Sequence, residues 1–360
     1  MKNDLGTDKK NKSVVPGTIR IKTKDLEPYE KTKKSWKRSS REFSEAKLII
    51  NLFKAHGRFK VLIDKKDTRF LKGQILPDGR TQGARINILP NGRRLDKAFS
   101  LLAQDLTIHH EDSHAHWDVM YKNPGGTYSY LYTLEKKRKF VDKKYRTVHE
   151  FSKHYPQLKR NVYSALRRKD DPLAVPMYTL LKTYMRIGNE IYYKIHHHKG
   201  LTTLKKNDIT INGRYVTFNY IAKDGVPTNI TQSFPPVYIN RLRDMLRSTD
   251  RSSFVFANRE TGHPLCETHF KDAFRRYCGK EFYPHIVRSH YATSQVEMFL
   301  SSRKSFTKEE MRGLFLSIAE KLGHKRFVKK DRVWKDSYNI TIHHYVRPEL
   351  IEKVKSAVKE

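Results

Sequence analysis

Five side chains of this sequence have the types needed to break a phosphodiester without a metal ion. They are a tyrosine, two arginines, a lysine and a histidine. A nucleophile must attack phosphorus in line, and cations must neutralise the charge that builds on the non-bridging oxygens. An acid must protonate the leaving oxygen. Arginine suits the clamp, because its planar fork matches two phosphate oxygens and keeps its proton. Tyrosine serves as nucleophile once its proton is removed or its phenolate is stabilised. The closing stretch supplies Leu322-Gly323-His324 and then Thr341-Ile342-His343-His344-Tyr345-Val346-Arg347-Pro348. Arg186, Lys223 and Arg288 lie upstream.

The composition fits a partner of that kind. Lys and Arg total 73 against 38 Asp and Glu, a net charge of +35. A chain this basic repels itself unless it meets a polyanion, and nucleic acid is the first candidate. Hydrophobic residues make up 37% and charged residues 31%, while 20 Tyr and 18 Phe argue against wholesale disorder. The two cysteines, Cys266 and Cys278, form no CxxC pair. That excludes a disulfide framework and fits a reducing, intracellular compartment. No long apolar run marks a membrane span, and Met1 to Lys12 lacks the apolar centre of a secretory signal.

The elements that must position these groups follow in chain order. Residues 1–40 are Lys-rich and poor in apolar residues, which predicts a mobile basic arm. Residues 42–56 carry a helical apolar stripe. Short apolar runs then alternate with turns at Pro77-Asp-Gly79, Pro90-Asn-Gly92 and Pro124-Gly-Gly126, which predicts a β-rich domain over 41–135. The runs on either side of Asn123-Pro-Gly-Gly126 read as a hairpin. Residues 136–146 are basic with little apolar content and read as a linker. From 147 to 360 the chain turns helical. A long helix is expected from Leu173 to about His196, then a small sheet with turns at Asn212-Gly213 and Lys223-Asp224-Gly225, then further helices from Pro236 to the end. The fold class is therefore α+β, with a β-rich basic part and a mainly helical part that holds one small antiparallel sheet.

At Arg186-Ile-Gly-Asn-Glu190 the sequence begins to resemble type IB DNA topoisomerases, especially the poxviral and bacterial kind. Gly200-Leu-Thr-Thr-Leu204 follows as in that family, and Tyr155-Pro-Gln-Leu-Lys-Arg160 and Leu166-Arg-Arg168 resemble its lead-in. The resemblance makes Arg186 the first catalytic arginine, carried on a helix. It makes Lys223 the general acid at a hairpin tip, and it implies DNA contacts for Arg167, Arg168, Lys205 and Lys206. His285-Ile-Val-Arg288, with Tyr291-Ala-Thr293 after it, is similar to the His-x-x-Arg run of the tyrosine recombinases, which share the catalytic domain. Arg288 is the second arginine under either resemblance. His285 is an accessory residue that takes a proton, contacts phosphate or caps its helix.

Leu322-Gly-His324 resembles a box common to both families, in which the histidine donates to a non-bridging oxygen. The nucleophile usually stands about nine residues beyond it. Tyr338 stands 14 beyond and Tyr345 stands 21 beyond. Tyr345-Val-Arg-Pro348 resembles the Tyr-Val-His-Pro run of the bacterial enzymes, so Tyr345 is the expected nucleophile and Tyr338 the other candidate. Arg326 to Ser337 then reads as an insertion. His109 to His116 contains metal-ligand types, but without cysteine or a second spaced set it reads as a polar DNA-facing loop, and no metal is expected. His196-His-His198 suits a helix C-terminus.

The resemblance implies an enzyme that relaxes double-stranded DNA through a 3′-phosphotyrosyl link, as a monomer, with no ATP, metal or other cofactor. The N-terminal part would close over the duplex as a clamp, although its sequence matches neither family. The alternative is a tyrosine recombinase that uses the same chemistry in a tetramer on DNA. A DNA-packaging protein would explain the charge but not the five matched contexts. Either enzyme would be intracellular and DNA-associated.

Overall fold

The structure is a computed structural model that describes residues 14–83, 85–109, 116–328 and 330–359. It divides into two compact units, residues 1–142 and 143–360, each with its own core. The α+β class is the expected one. No helix among the described residues is long and apolar enough to cross a membrane.

In the first unit, β1 (Ile19–Ile21), β2 (Pro28–Lys31) and β3 (Trp36–Arg38) precede helix α1 (Ser44–Ala55). β4 (Gln74–Ile75) and β5 (Thr81–Gln82) complete an antiparallel sheet of order β3-β2-β1-β4-β5. Residues 14–38 thus carry three paired strands and are not the mobile arm their composition suggests. Ile19 and Ile21 are buried, and so is Arg20, whose guanidinium meets Asp64 at 2.6 Å. A few well-placed apolar residues outweigh the surrounding lysines. Residues 1–13 lie outside the described part. β6 (Ile86–Ile88) pairs with β7 (Arg94–Phe99), and β8 (Gln104–Ile108), β9 (Val119–Lys122) and β10 (Tyr128–Leu131) form a third sheet. The expected hairpin is β9–β10. Its turn is closed by the Asn123 N–H bonding the Thr127 carbonyl at 2.7 Å. Ala46, Ile49, Ile50 and Phe53 of α1 pack at helical spacing into this unit's core.

Helix α2 (Leu134–Ala165) runs through the segment read as a linker. Lys, Arg and Glu are good helix formers, so a polar stretch stays helical when its neighbours anchor it. Lys139 also pairs with Glu135 one turn back at 2.7 Å. Beyond it, Tyr145, Val148, Phe151, Leu158, Val162 and Ala165 make the buried stripe.

In the second unit, the expected long helix from Leu173 to His196 is two helices, α3 (Ala174–Thr183) and α4 (Glu190–His196). The signal for the break is Gly188-Asn189. Asn189 is the N-cap of α4, its side chain accepting from the Tyr192 N–H at 3.1 Å. Tyr184 turns the chain out of α3 with φ of 56°. The sheet follows as β11 (Ile209–Asn212), β12 (Tyr215–Ile221) and β13 (Pro227–Ser233). Val216, Phe218 and Tyr220 alternate onto its buried face. Then come α5 (Pro236–Ser248), α6 (Glu267–Cys278), α7 (Ile286–Ser302) and α8 (Lys308–Lys321). A hairpin, β14 (Lys325–Val328) with β15 (Val333–Asp336), leads to α9 (Asn339–His344) and α10 (Pro348–Ser356). Helices α7 to α10 share one core, and Tyr345 and Val346 belong to it.

Candidate active site

Arg186 stands in the extended break between α3 and α4, not on a helix. Two sequence motifs hold it by backbone contact. The Leu201 N–H donates to the Arg186 carbonyl at 2.8 Å, and the Gly188 N–H donates to Thr202 Oγ1 at 3.1 Å. The approach is too close for side chains. A Cβ on Gly188 would lie 2.4 Å from Thr203 Oγ1, and one on Gly200 would lie 2.7 Å from the Arg186 carbonyl oxygen. Both glycines are therefore required by contact, and the two motifs form one clamp on the Arg186 backbone. The freed side chain reaches the Tyr345 hydroxyl, with Nη2 3.2 Å from the phenolic oxygen.

Arg288 comes from the first turn of α7 and is buried. Its Nη1 donates to the Tyr184 carbonyl, which the left-handed turn at Tyr184 presents. Nη2 donates to the Leu322 carbonyl at 2.7 Å and meets His324 Nε2 at 3.0 Å. Nε is buried without a hydrogen-bond partner. The guanidinium also lies over the Tyr345 ring, 5.3 Å from its centre. Burial pushes its pKa down to about 10, Tyr345 opposes that, and the Arg186 charge adds to it.

His324 follows the αL glycine Gly323 that ends α8. Because arginine can only donate, Nε2 accepts from Arg288, and the ring proton sits on Nδ1, donated to Thr341 Oγ1 at 2.8 Å. Burial, then the Arg288 and Arg186 charges, push His324 down to about 2. In this arrangement the imidazole is neutral and orients Arg288. Donation to a phosphate oxygen, the role the resemblance implies, requires a second proton, which an arriving phosphate charge favours.

The distance in sequence between His324 and Tyr345 has a simple cause. The Ser337 N–H donates to the His324 carbonyl at 2.9 Å, which closes the base of the β14–β15 hairpin. Hairpin residues 325–336 bulge from the site, and without those 12 residues Tyr345 stands nine beyond His324. Tyr345 is buried at 3% exposure, its ring centre 4.6 Å from that of His324 and 5.1 Å from that of His285. Burial, then Arg288, Arg186, Lys144 and Lys223, push His285 down to about 3, so it too is neutral.

Lys223 sits at the exposed β12–β13 turn, where Asp224 has φ of 64°. It lines one cleft of about 200 Å³ with Arg186, Arg288, Tyr220, Leu322 and Gly323. Among the described residues neither Arg186 nor Arg288 forms an ion pair with a carboxylate. The cleft is thus a concentration of positive charge with two neutral imidazoles beside it.

Other residues stand apart from this cluster. Tyr338 is the N-cap residue of α9 and packs against Phe315, ring centres 6.0 Å apart. Lys205 lies over the rings of Tyr193 and Phe254, and Lys206 is half-buried in the turn before β11. Arg167 is exposed beside Tyr163, and Arg168 pairs with the buried Asp171 at 3.6 Å. His109 stacks on Trp117 and His116 packs near Phe140, while residues 110–115 lie outside the described part.

One nearby group has no motif to reveal it. Lys144, within the segment read as a linker, donates from Nζ to the His344 carbonyl and lies 5.6 Å from the centre of the Tyr345 ring. Burial pushes its pKa down to about 8. Only its place on the buried side of α2, one residue before Tyr145, could have suggested it. Tyr145 itself donates to the Val346 carbonyl at 2.6 Å.

A family model described as "Eukaryotic DNA topoisomerase I, catalytic core" matches residues 135–345, more than half of the chain, and the match ends on Tyr345. Curated proteins gave no match. Among solved structures, the XerH site-specific recombinase bound to palindromic difH substrate, a post-cleavage complex, is similar at 14% identity with a TM-score of 0.31. That match covers 48% of this chain and 45% of that one. The pre-cleavage complex of XerH with difH is similar at 13% identity with a TM-score of 0.34, covering 56% and 51%. The chain spans about half the length of those solved chains.

Proposed function

Because the chain belongs to the eukaryotic DNA topoisomerase I catalytic-core family, we propose that it is a type IB topoisomerase that relaxes duplex DNA by cutting and resealing one strand. The observation that carries this reading is the Tyr345 hydroxyl held 3.2 Å from Arg186, with the buried Arg288 over its ring and, among the described residues, no carboxylate to neutralise either arginine. Such a cluster is costly unless an anion completes it. A phosphodiester is an anion of the right shape, and it offers an oxygen to the unpartnered Arg288 Nε.

The reaction then runs as follows. Tyr345 Oη attacks phosphorus and its proton passes to the neutral His285 imidazole or to water. The P–O5′ bond breaks as the phosphotyrosyl bond forms at the 3′ side. Arg186 and Arg288 hold the non-bridging oxygens, and Lys223 gives a proton to the departing 5′-oxygen. The broken strand turns about the intact one. The 5′-hydroxyl then attacks the phosphotyrosine, returning each proton. The arginines supply the charge neutralisation that a metal ion supplies elsewhere.

A second reading, a tyrosine recombinase, is favoured by His285, which stands beside the Tyr345 ring in the His-x-x-Arg arrangement. One experiment separates the two. The protein is incubated with negatively supercoiled plasmid in EDTA without ATP. Stepwise relaxation supports the topoisomerase. Exchange between two plasmid sites without relaxation supports the recombinase, and neither product would overturn both.

A further inference from the structure

The β14–β15 hairpin is attached to the site at both feet. The Ser337–His324 bond closes it, and Lys325 Nζ lies 3.4 Å from the carbonyl of Pro227, the first residue of β13 beyond the Lys223 turn. From there it projects outward. Phe327 faces Trp334 across the strands, ring centres 5.4 Å apart, yet Phe327 is 47% exposed and Val333 is 42% exposed. A hairpin that served only to close a loop would turn these residues inward or replace them with polar ones.

Its charges are also unusual. Arg326 stands directly opposite Lys335, and both are exposed. Like charges opposed across a strand pair weaken it. Lys335 is drawn off to Asp331 at 2.8 Å, while Arg326 pairs with no carboxylate among the described residues. Lys330 and Arg332 add two exposed cations at the turn, with Arg332 held at φ of 51°. An external polyanion that also offers an apolar surface would stabilise this arrangement.

We propose that the β14–β15 hairpin is a duplex-binding arm, in which Arg326, Lys330 and Arg332 contact phosphates and the Phe327–Trp334 pair packs on sugar and base edges beside the cleavage site. The proposal rests on the reading of the cleft as a DNA-cutting site. Each phosphate contact contributes about 0.9 to the slope of log affinity against log salt, so the arm has a direct readout.

The test uses the full chain carrying Tyr345→Phe, so that cleavage does not disturb equilibrium. Binding to a fluorescent 30-base-pair duplex is followed by anisotropy at several KCl concentrations. Arg326→Gln/Lys330→Gln/Arg332→Gln should lower the salt slope by about two to three and weaken binding at least tenfold at physiological salt. Phe327→Ala should weaken binding by several-fold with the slope kept, and thermal unfolding reports that each variant is folded. Unchanged slope and affinity in the folded triple variant would overturn the proposal and point to a protein partner for the exposed aromatic pair. Relaxation by the wild-type chain tests the cleft reading separately, so either can fail without the other.

Discussion

Arg186 Nη2 lies 3.2 Å from the Tyr345 hydroxyl although the two stand 159 positions apart in sequence. The contact joins an extended break between two helices to the end of a third. It requires that the Gly188–Gly200 clamp and the α7–α10 core each form correctly.

Removing the cation from this pair should affect the chemistry and leave binding nearly intact. Arg186→Ala should slow single-turnover cleavage by roughly a hundredfold to a thousandfold, the scale for one preorganised charge-stabilising donor. Duplex affinity should change by only a few-fold. Arg186→Lys keeps the charge but not the fork, and should recover part of the rate. Quench-flow cleavage at saturating enzyme measures this directly.

The clamp itself predicts a backbone phenotype. Gly200→Ala places a methyl within 2.7 Å of the Arg186 carbonyl, and Gly188→Ala places one within 2.4 Å of Thr203 Oγ1. Each should destabilise the protein by about 1–3 kcal/mol, the usual range for overpacking. Each should also slow cleavage far more than an exposed Gly79→Ala does. Thermal unfolding and cleavage rates read side by side would check it.

Lys144 should behave as a positioning residue. Its ammonium caps the carbonyl end of α9 beside Tyr345, and burial brings its pKa to about 8. Raising the pH through 8 removes that charge, so cleavage by the wild type should fall several-fold on the alkaline side. Lys144→Arg should hold its rate there. Lys144→Ala should be slow at every pH. A pH profile identical in all three would show that Lys144 does not position Tyr345.

Acid should destabilise the fold before the carboxylates titrate. His290, pushed to about 4 by burial, and His324, pushed to about 2, are neutral in the folded protein. The unfolded chain protonates them near 6.5. Their folded pKa is lowered, so the stability is fully present above pH 6.5 and is lost as pH falls. The loss is about 1.4 kcal/mol per pH unit for each histidine between roughly 6 and 4.5. Urea unfolding of wild type and His290→Gln across that window should show a shallower slope in the variant.

Much of this was legible in the sequence. The helices α1, α5, α6, α8 and α10 followed from apolar periodicity and the three-stranded sheet from alternation and turns, since both signals are local. The motif residues Arg186, Lys223, Arg288, His324 and Tyr345 could be named because each sits in a distinctive local context. What was not legible depended on contacts distant in sequence. The long helix expected from Leu173 to His196 breaks at Tyr184 because residues 186–188 must lie against Gly200, a requirement that no helical pattern reveals. Residues 136–146 look like a linker by composition and are helical because their flanks are anchored. The 21-residue gap before Tyr345 could not be resolved by counting. A single backbone bond, Ser337 to His324, takes the hairpin out of the path.

In the proposed reaction Tyr345, not Tyr338, forms the covalent bond to DNA. The direct measurement traps the adduct on a suicide duplex whose downstream strand is lost after cutting, then locates the modified residue by peptide mass spectrometry. The same assay is run with Tyr345→Phe and Tyr338→Phe. The expected result is a phosphotyrosyl peptide containing Tyr345, no adduct with Tyr345→Phe, and adduct at near wild-type yield with Tyr338→Phe. An adduct that persists in Tyr345→Phe, or that maps to Tyr338, would contradict it.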